Sequence, residues 1–260
     1  MTKFRKHYWD GNPETTALLI IDLEKGYCDP NSDMANAPLN WDVSQADQLC
    51  HDAIGFINQT RRYLPAHNII WTRMEEHQDS YAQNSPYYFD DERFVDLCVR
   101  ATEGYQYHLV APNKDEIQLH KTHPSAFHTH AEIEGNPRGS WRIENKPSSA
   151  LHDYLQRGIK SEYVLTGQKH KIKTIAAIGV IDSRCVGATF ASASDRGYNC
   201  LSIEGLTGSP EFKNKPSGAM SFNDEVRGHR QVRDMFTAAP ISPDQFINCL
   251  KKHRPFTPAP

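Results

Sequence analysis

Three stretches of the chain are apolar without interruption: Ala17-Leu18-Leu19-Ile20-Ile21, Ile69-Ile70-Trp71 within Asn68 to Arg73, and Ile175-Ala176-Ala177-Ile178-Gly179-Val180-Ile181. None alternates polar with apolar residues, so each predicts a strand buried on both faces, as in a parallel sheet covered by helices. Between the first two, Val43 to Leu64 repeats Ala46, Leu49, Cys50, Ala53, Ile54, Ile57 and Leu64 at helical period, with Gln, Asp, Asn and Arg opposite. That spacing predicts an amphipathic helix lying on one sheet face. Strand, helix, strand in this order makes a right-handed crossover.

The same alternation continues. Asp115 to Lys121 predicts a third strand, Ser149 to Gln156 a short helix, Ser161 to Thr166 an extra strand or hairpin, and Tyr198 to Glu204 a further strand. A long loop is expected from Gly205 to Gly218, a helix from Phe222 to Phe236, and a short edge strand from Ala238 to Ile241. Ser242-Pro243-Asp244-Gln245 opens a last helix with a serine cap and a proline in the first turn. Asp79 to Tyr107 reads as a loop with a short helix near Glu92 to Ala101; its Tyr81, Tyr87, Tyr88 and Phe89 could line a pocket or cover the sheet rim. The fold class is therefore α/β, a three-layer αβα domain with a mainly parallel sheet of about six strands.

Composition narrows what such a domain does. With 260 residues, 38% of them hydrophobic, and no long Gly- or Pro-rich linker, residues 1–260 suit a single domain. A net charge of -3 and a pI near 6.5 leave no basic footprint for nucleic acid, and the run Lys169 to Lys173 reads as a solvated loop. Cys28, Cys50, Cys98, Cys185, Cys200 and Cys249 are scattered, with no CxxC pair, which points to a reducing, cytoplasmic compartment. The basic stretch Met1 to Trp9 runs into Asp10-Gly11-Asn12-Pro13 instead of an apolar core, so neither a signal peptide nor a membrane span is expected.

Three strands end on chemically useful groups. Asp22 follows the first, Lys121 ends the third, and Cys185 lies in the first helical turn after the central run, beyond Asp182-Ser183, both good N-cap residues. Open α/β sheets bind ligands outside the carboxyl ends of their strands. A helix N-terminus favours a thiolate, although a small buried thiol packing strand against helix is the other reading of such a cysteine. Asp22 could equally cap the turn that follows it. His120, His123, His128 and His130 cluster after the third strand, yet their spacing fits neither HExxH nor a Cys/His finger, so no metal and no cofactor is expected.

Taken together these segments resemble a known family, the isochorismatase-like cysteine hydrolases, which include nicotinamidases and N-carbamoylsarcosine amidases. The resembling residues are Leu18-Leu19-Ile20-Ile21-Asp22-Leu23, Lys121 with Ser125-Ala126-Phe127, Gly179-Val180 shortly before Cys185-Val186, Ala188-Thr189 and Ala193 with Gly197-Tyr198, and Ile241-Ser242. The resemblance implies a Rossmann-like sheet, a domain core of about residues 15–252, and a catalytic triad of Asp22, Lys121 and Cys185. It further implies a cis peptide between Val180 and Ile181, and an oxyanion hole made by the backbone N–H groups of Ile181 and Cys185. Its chemistry would be hydrolysis of a small amide or ureido compound through a thioester, in a homo-oligomer, dimer or tetramer.

The chain also departs from the family pattern. Where nicotinamidases carry Asp-x-His after the second strand, this sequence has Met74 and Glu76 within Thr72 to His77, so a metal-anchored pyridine ring is not expected, and contact of Glu75, Glu76 or His77 with a ligand stays open. The usual glutamine two residues after the strand-end acid is Glu24. Segments 130–148 and 161–173 read as insertions. Two other functions stay open, a vinyl-ether hydrolase of the isochorismatase type and a noncatalytic scaffold; retention of Asp22, Lys121 and Cys185 argues for amide chemistry.

Overall fold

The structure, a computed structural model, describes residues 9–32, 35, 41–75, 98, 100–128, 132–133, 149–157, 159–160, 165–166, 171–209, 211–212 and 237–253. Its centre is a seven-stranded sheet, whose strands in chain order are β1 (Thr16–Ile21), β2 (Ile69–Met74), β3 (Ile117–Lys121), β4 (Glu132–Ile133), β5 (Thr174–Val180), β6 (Asn199–Gly208) and β7 (Ala239–Ile241). Their spatial order is β7-β6-β5-β1-β2-β3-β4. Every pairing is parallel except that of β3 with the two-residue β4, so a parallel sheet of six strands carries one short antiparallel edge.

Four helices of eight residues or more are described: α1 (Ser44–Thr60), α2 (Ala150–Arg157), α3 (Gly187–Asp195) and α4 (Pro243–Lys252). Successive residues of β1 point to opposite faces of the sheet. Leu18 and Ile20 pack with Leu49, Ala53, Phe56 and Ile57 of α1 and with Phe246 and Leu250 of α4. Ala17, Leu19 and Ile21 pack with Leu151 and Leu155 of α2 and with Phe190 and Ala193 of α3. One strand thus feeds two apolar cores, which is why its sequence shows no polar alternation. The last helix opens as its sequence predicts: Ser242 Oγ accepts from the Gln245 N–H and Gln245 Oε1 from the Ser242 N–H.

Two expectations are corrected. The strand after α3 does not give way to a loop at Gly205 but runs on to Gly208. Opposite β5 its partner jumps from Ser202, beside Ala177, to Thr207, beside Gly179. The excess is taken up at an irregularity where Gly205 adopts φ +76°, a conformation that costs glycine little. Neither Asp182 nor Ser183 caps the central helix. A five-residue π-helical turn, Asp182–Val186, comes first, with Ile181 at its N-terminal edge and no side-chain cap bond.

Residues 159–160 and 165–166 pair antiparallel, so the element expected at Ser161 to Thr166 meets this pair at its last two residues and its partner strand lies before Ser161. The expected helix Phe222 to Phe236, the aromatic residues Tyr81, Tyr87, Tyr88 and Phe89, most of the expected helix near Glu92 to Ala101, and most of segments 130–148 and 161–173 lie outside the described residues. Among the described residues no helix is long and apolar enough to cross a membrane.

Candidate active site

The order β5-β1-β2-β3 brings the carboxyl ends of four strands side by side, and three sequence candidates meet there. Asp22 leaves β1 at φ +53°, with its N–H directed to the Thr72 carbonyl of the neighbouring strand at 3.3 Å. Lys121 is the last residue of β3. Cys185 sits in the turn that joins β5 to α3, and the peptide between Val180 and Ile181, where that turn begins, is cis.

Lys121 is the hub. Its Nζ donates to Asp22 Oδ2 at 2.7 Å, to Cys185 Sγ at 3.4 Å and to Met74 Sδ at 3.3 Å, which matches its three N–H bonds to three acceptors. Asp22 Oδ1 accepts from Thr72 Oγ1 at 2.6 Å, so each oxygen of its carboxylate has a donor. Asp22, Lys121 and Cys185 are all buried.

Burial bears on the protonation of Lys121 and Cys185. For Lys121 it opposes the charged form, but the facing Asp22 carboxylate, with a smaller contribution from Cys185, outweighs it and holds the pKa above the ordinary lysine value. The Cys185 thiol is pushed up to about 12, first by burial, which the ammonium of Lys121 opposes and the carboxylate of Asp22 reinforces. At neutral pH the resting site therefore holds a protonated thiol beside an Asp–Lys ion pair.

The surrounding chain fixes this cluster. The Ile181 carbonyl accepts from the N–H groups of Arg184 and Val186, and the Asp182 N–H donates to Ser209 Oγ at 3.0 Å, tying the Cys185 turn to the end of β6. Beyond Lys121, the Ala126 N–H donates to Thr189 Oγ1 at 3.1 Å and Ser125 Oγ to Ser192 Oγ at 2.8 Å, so the loop after β3 is fastened to the helix behind Cys185. Gly179 leaves room for β1: a Cβ there would lie 2.0 Å from the Ile21 carbonyl oxygen, and its φ is +125°.

One contributor, Thr72, escaped the sequence reading, and two more, Met74 and Glu24, stood in it only as departures from the family pattern. Thr72 and Met74 touch Asp22 and Lys121, and Glu24, in the place of the expected glutamine, is fully buried with Oε2 on the Met74 N–H at 2.8 Å. A threonine one strand over, at the residue paired with Ile21, was the available signal for the first. Among the described residues, His120, His123 and His128 do not form a metal-holding group. His120 bonds the Tyr105 hydroxyl, while the rings of His123 and His128 stack with centroids 3.5 Å apart. His130, Glu76 and His77 lie outside the described residues, and among those described no group of three or more His, Cys, Asp or Glu could hold a metal ion.

No protein-family model matches the chain, and no curated protein is significantly similar to it in sequence. Solved structures are similar in fold. A cysteine hydrolase from Pseudomonas syringae pv. phaseolicola superposes with a TM-score of 0.67 at 16% identity, over 97% of this chain and 100% of that one. An isochorismatase from Pseudomonas putida gives 0.55 at 17% identity, covering 90% of each chain. A nicotinamidase pyrazinamidase from Acinetobacter baumannii gives 0.55 at 17%, over 89% of this chain and 98% of that one. The fold is thus the isochorismatase-like one.

Proposed function

We propose that the protein is a cysteine hydrolase of the isochorismatase-like kind, acting on the carbon–nitrogen bond of a small amide or ureido compound through a thioester. The observation that carries this reading is that one ammonium joins Asp22 and Cys185: Lys121 Nζ reaches both the Asp22 carboxylate and the Cys185 sulfur. A buried thiol held near pKa 12 needs a base to become a nucleophile, and Asp22, joined to it through the shared Lys121 ammonium, is the carboxylate at hand.

In this reading Asp22 takes the thiol proton and the sulfur attacks the substrate carbonyl carbon. The tetrahedral oxyanion is held by the N–H groups of Ile181 and Cys185, at the entrance to the helix. Lys121 keeps its charge throughout, first facing the Asp22 carboxylate and then the thiolate. Asp22 returns its proton to the leaving nitrogen as the carbon–nitrogen bond breaks, then takes a proton from the water that hydrolyses the thioester. Hydrolases and nicotinamidases of the same fold support the reaction class, and Cys185 favours amide over vinyl-ether cleavage.

The test is incubation with small primary amides, ureido compounds and isochorismate, following ammonia and pyruvate together with the intact mass of the protein. Ammonia release with a transient acyl adduct on Cys185, lost in Cys185→Ala, is expected. Turnover that survives Cys185→Ala, or pyruvate release alone, overturns the proposal.

A further inference from the structure

Glu24 is a buried carboxyl group near the cluster to which the mechanism above gives no task. Its main chain is fixed by the segment that covers it: the N–H groups of Lys25 and Gly26 donate to the carbonyls of Gln106 and Gly104, the His108 N–H donates to that of Leu23, and Glu24 itself bridges to Tyr107. This clamp leaves the side chain no route to water, and Glu24 is 0% exposed. Oε2 accepts from the Met74 N–H, while the same Met74 presents Sδ to Lys121 Nζ, so Glu24 holds a residue that touches the hub. Oε1 has no hydrogen-bond partner among the described residues.

An ionised carboxylate in that place would keep one oxygen buried without a donor and set a second anion against the single ammonium that already serves Asp22. Both are costly in a water-free interior, and a neutral acid avoids the larger part of each cost. The groups facing Glu24 are Asp22 at the end of β1, Arg73 on β2, Lys121 on β3, Tyr105 in the covering segment and Cys28 in the turn beyond Glu24. The Arg73 guanidinium donates to Gln118 and lies over the rings of Tyr105 and Tyr107, at 4.6 and 4.9 Å from their centroids.

We propose that Glu24 is an uncharged positioning residue of the active site: as a carboxylic acid it holds Met74 against Lys121 and leaves Asp22 the only anion competing with the Cys185 thiolate for that ammonium. Burial raises the Glu24 pKa well above the ordinary glutamate value, and the nearby Asp22 charge adds to it, against weaker opposition from the Met74 N–H, Lys121 and Arg73. An acid here does the work of a neutral amide. Its functional consequence rests on Cys185 being the nucleophile, but its charge state does not.

Two measurements that need no substrate separate the proposal from the reading of the reaction. Infrared spectra of the wild-type protein at pH 7, with and without carboxyl-¹³C glutamate, should show a protonated-carboxyl C=O band that shifts with the label and disappears in Glu24→Gln. Carboxylate bands alone among the labelled signals overturn the proposal. Iodoacetamide alkylation, quantified on the peptide containing Cys185, should slow about tenfold in Glu24→Ala, the effect of about one pKa unit on the thiol, and recover most of the wild-type rate in Glu24→Gln. A Glu24→Gln protein that stays as slow as Glu24→Ala, or reacts about tenfold faster than wild type because a negative charge has gone, overturns it.

Discussion

Lys121 Nζ and Asp22 Oδ2 stand 2.7 Å apart with side-chain exposures of 0% and 1%, an ion pair removed from water at the meeting point of β1, β2 and β3. Two charges stripped of hydration are tolerated only while each faces the other, and the remaining contacts to Thr72, Met74 and Cys185 complete their hydrogen bonding. The pair is thus a structural commitment as well as a chemical one.

Breaking it from one side should cost more than removing it. Lys121→Met leaves the Asp22 carboxylate buried without a counterion and is expected to lower stability by about 3–5 kcal/mol. Adding Asp22→Asn should restore a good part of that loss. Urea denaturation of the two single variants and the double variant measures the coupling; strictly additive losses would contradict it.

Asp22→Asn keeps an acceptor for the Thr72 hydroxyl while removing the proposed base. Turnover of an amide identified in the substrate panel should fall by about 10²–10⁴-fold with little change in KM, the usual worth of a positioned proton acceptor. Thr72→Val only frees Asp22 to rotate, and its loss in kcat/KM should be smaller, about tenfold, as for one hydrogen bond to a charged group. Steady-state kinetics on both variants orders the two effects.

Gly179→Ala should fail to give folded protein, or lose about 4 kcal/mol or more, because the new methyl meets the Ile21 backbone at a φ that alanine rarely adopts. Neighbouring backbone of two central strands cannot move aside. Expression as soluble protein, followed by circular dichroism, decides the outcome.

The buried Glu24 also makes a prediction about pH. Its folded pKa lies above the unfolded value near 4.5, so its contribution to stability is fully present below about pH 4.5 and is lost as pH rises toward the folded pKa. In that window the unfolded chain releases a proton that the folded one keeps, costing at most about 1.4 kcal/mol per pH unit. Glu24→Gln has no such proton. Its thermal stability relative to wild type should therefore rise from pH 4 to pH 8, and a constant difference across that range would count against a buried acid at this position.

Much of this was legible in the chain. Apolar runs without alternation named β1, β2 and β5 because a strand between two helical layers must be apolar on both sides, and Asp22, Lys121 and Cys185 stood out as reactive groups at the ends of strands. The Ser242 cap and the amphipathic α1 are likewise local features, written in neighbouring residues. Phe56 was missed from the α1 stripe, and the continuation of β6 past Gly205 was read as a loop because a glycine and polar residues end a strand in most local contexts; here the second pairing with β5 outweighs them.

Sequence by itself thus determined the layers and the reactive residue types, since periodicity and strand ends depend on near neighbours. Tertiary structure alone decided which of them meet. Lys121 lies 99 residues from Asp22 and 64 from Cys185, and only the strand order β5-β1-β2-β3 turns those separations into contacts. The burial of Glu24, which rests on a covering segment far along the chain, and the hydroxyl of Thr72 on the adjacent strand follow from the same cause: pairing across the sheet sets the surroundings of a side chain, and no local pattern records them.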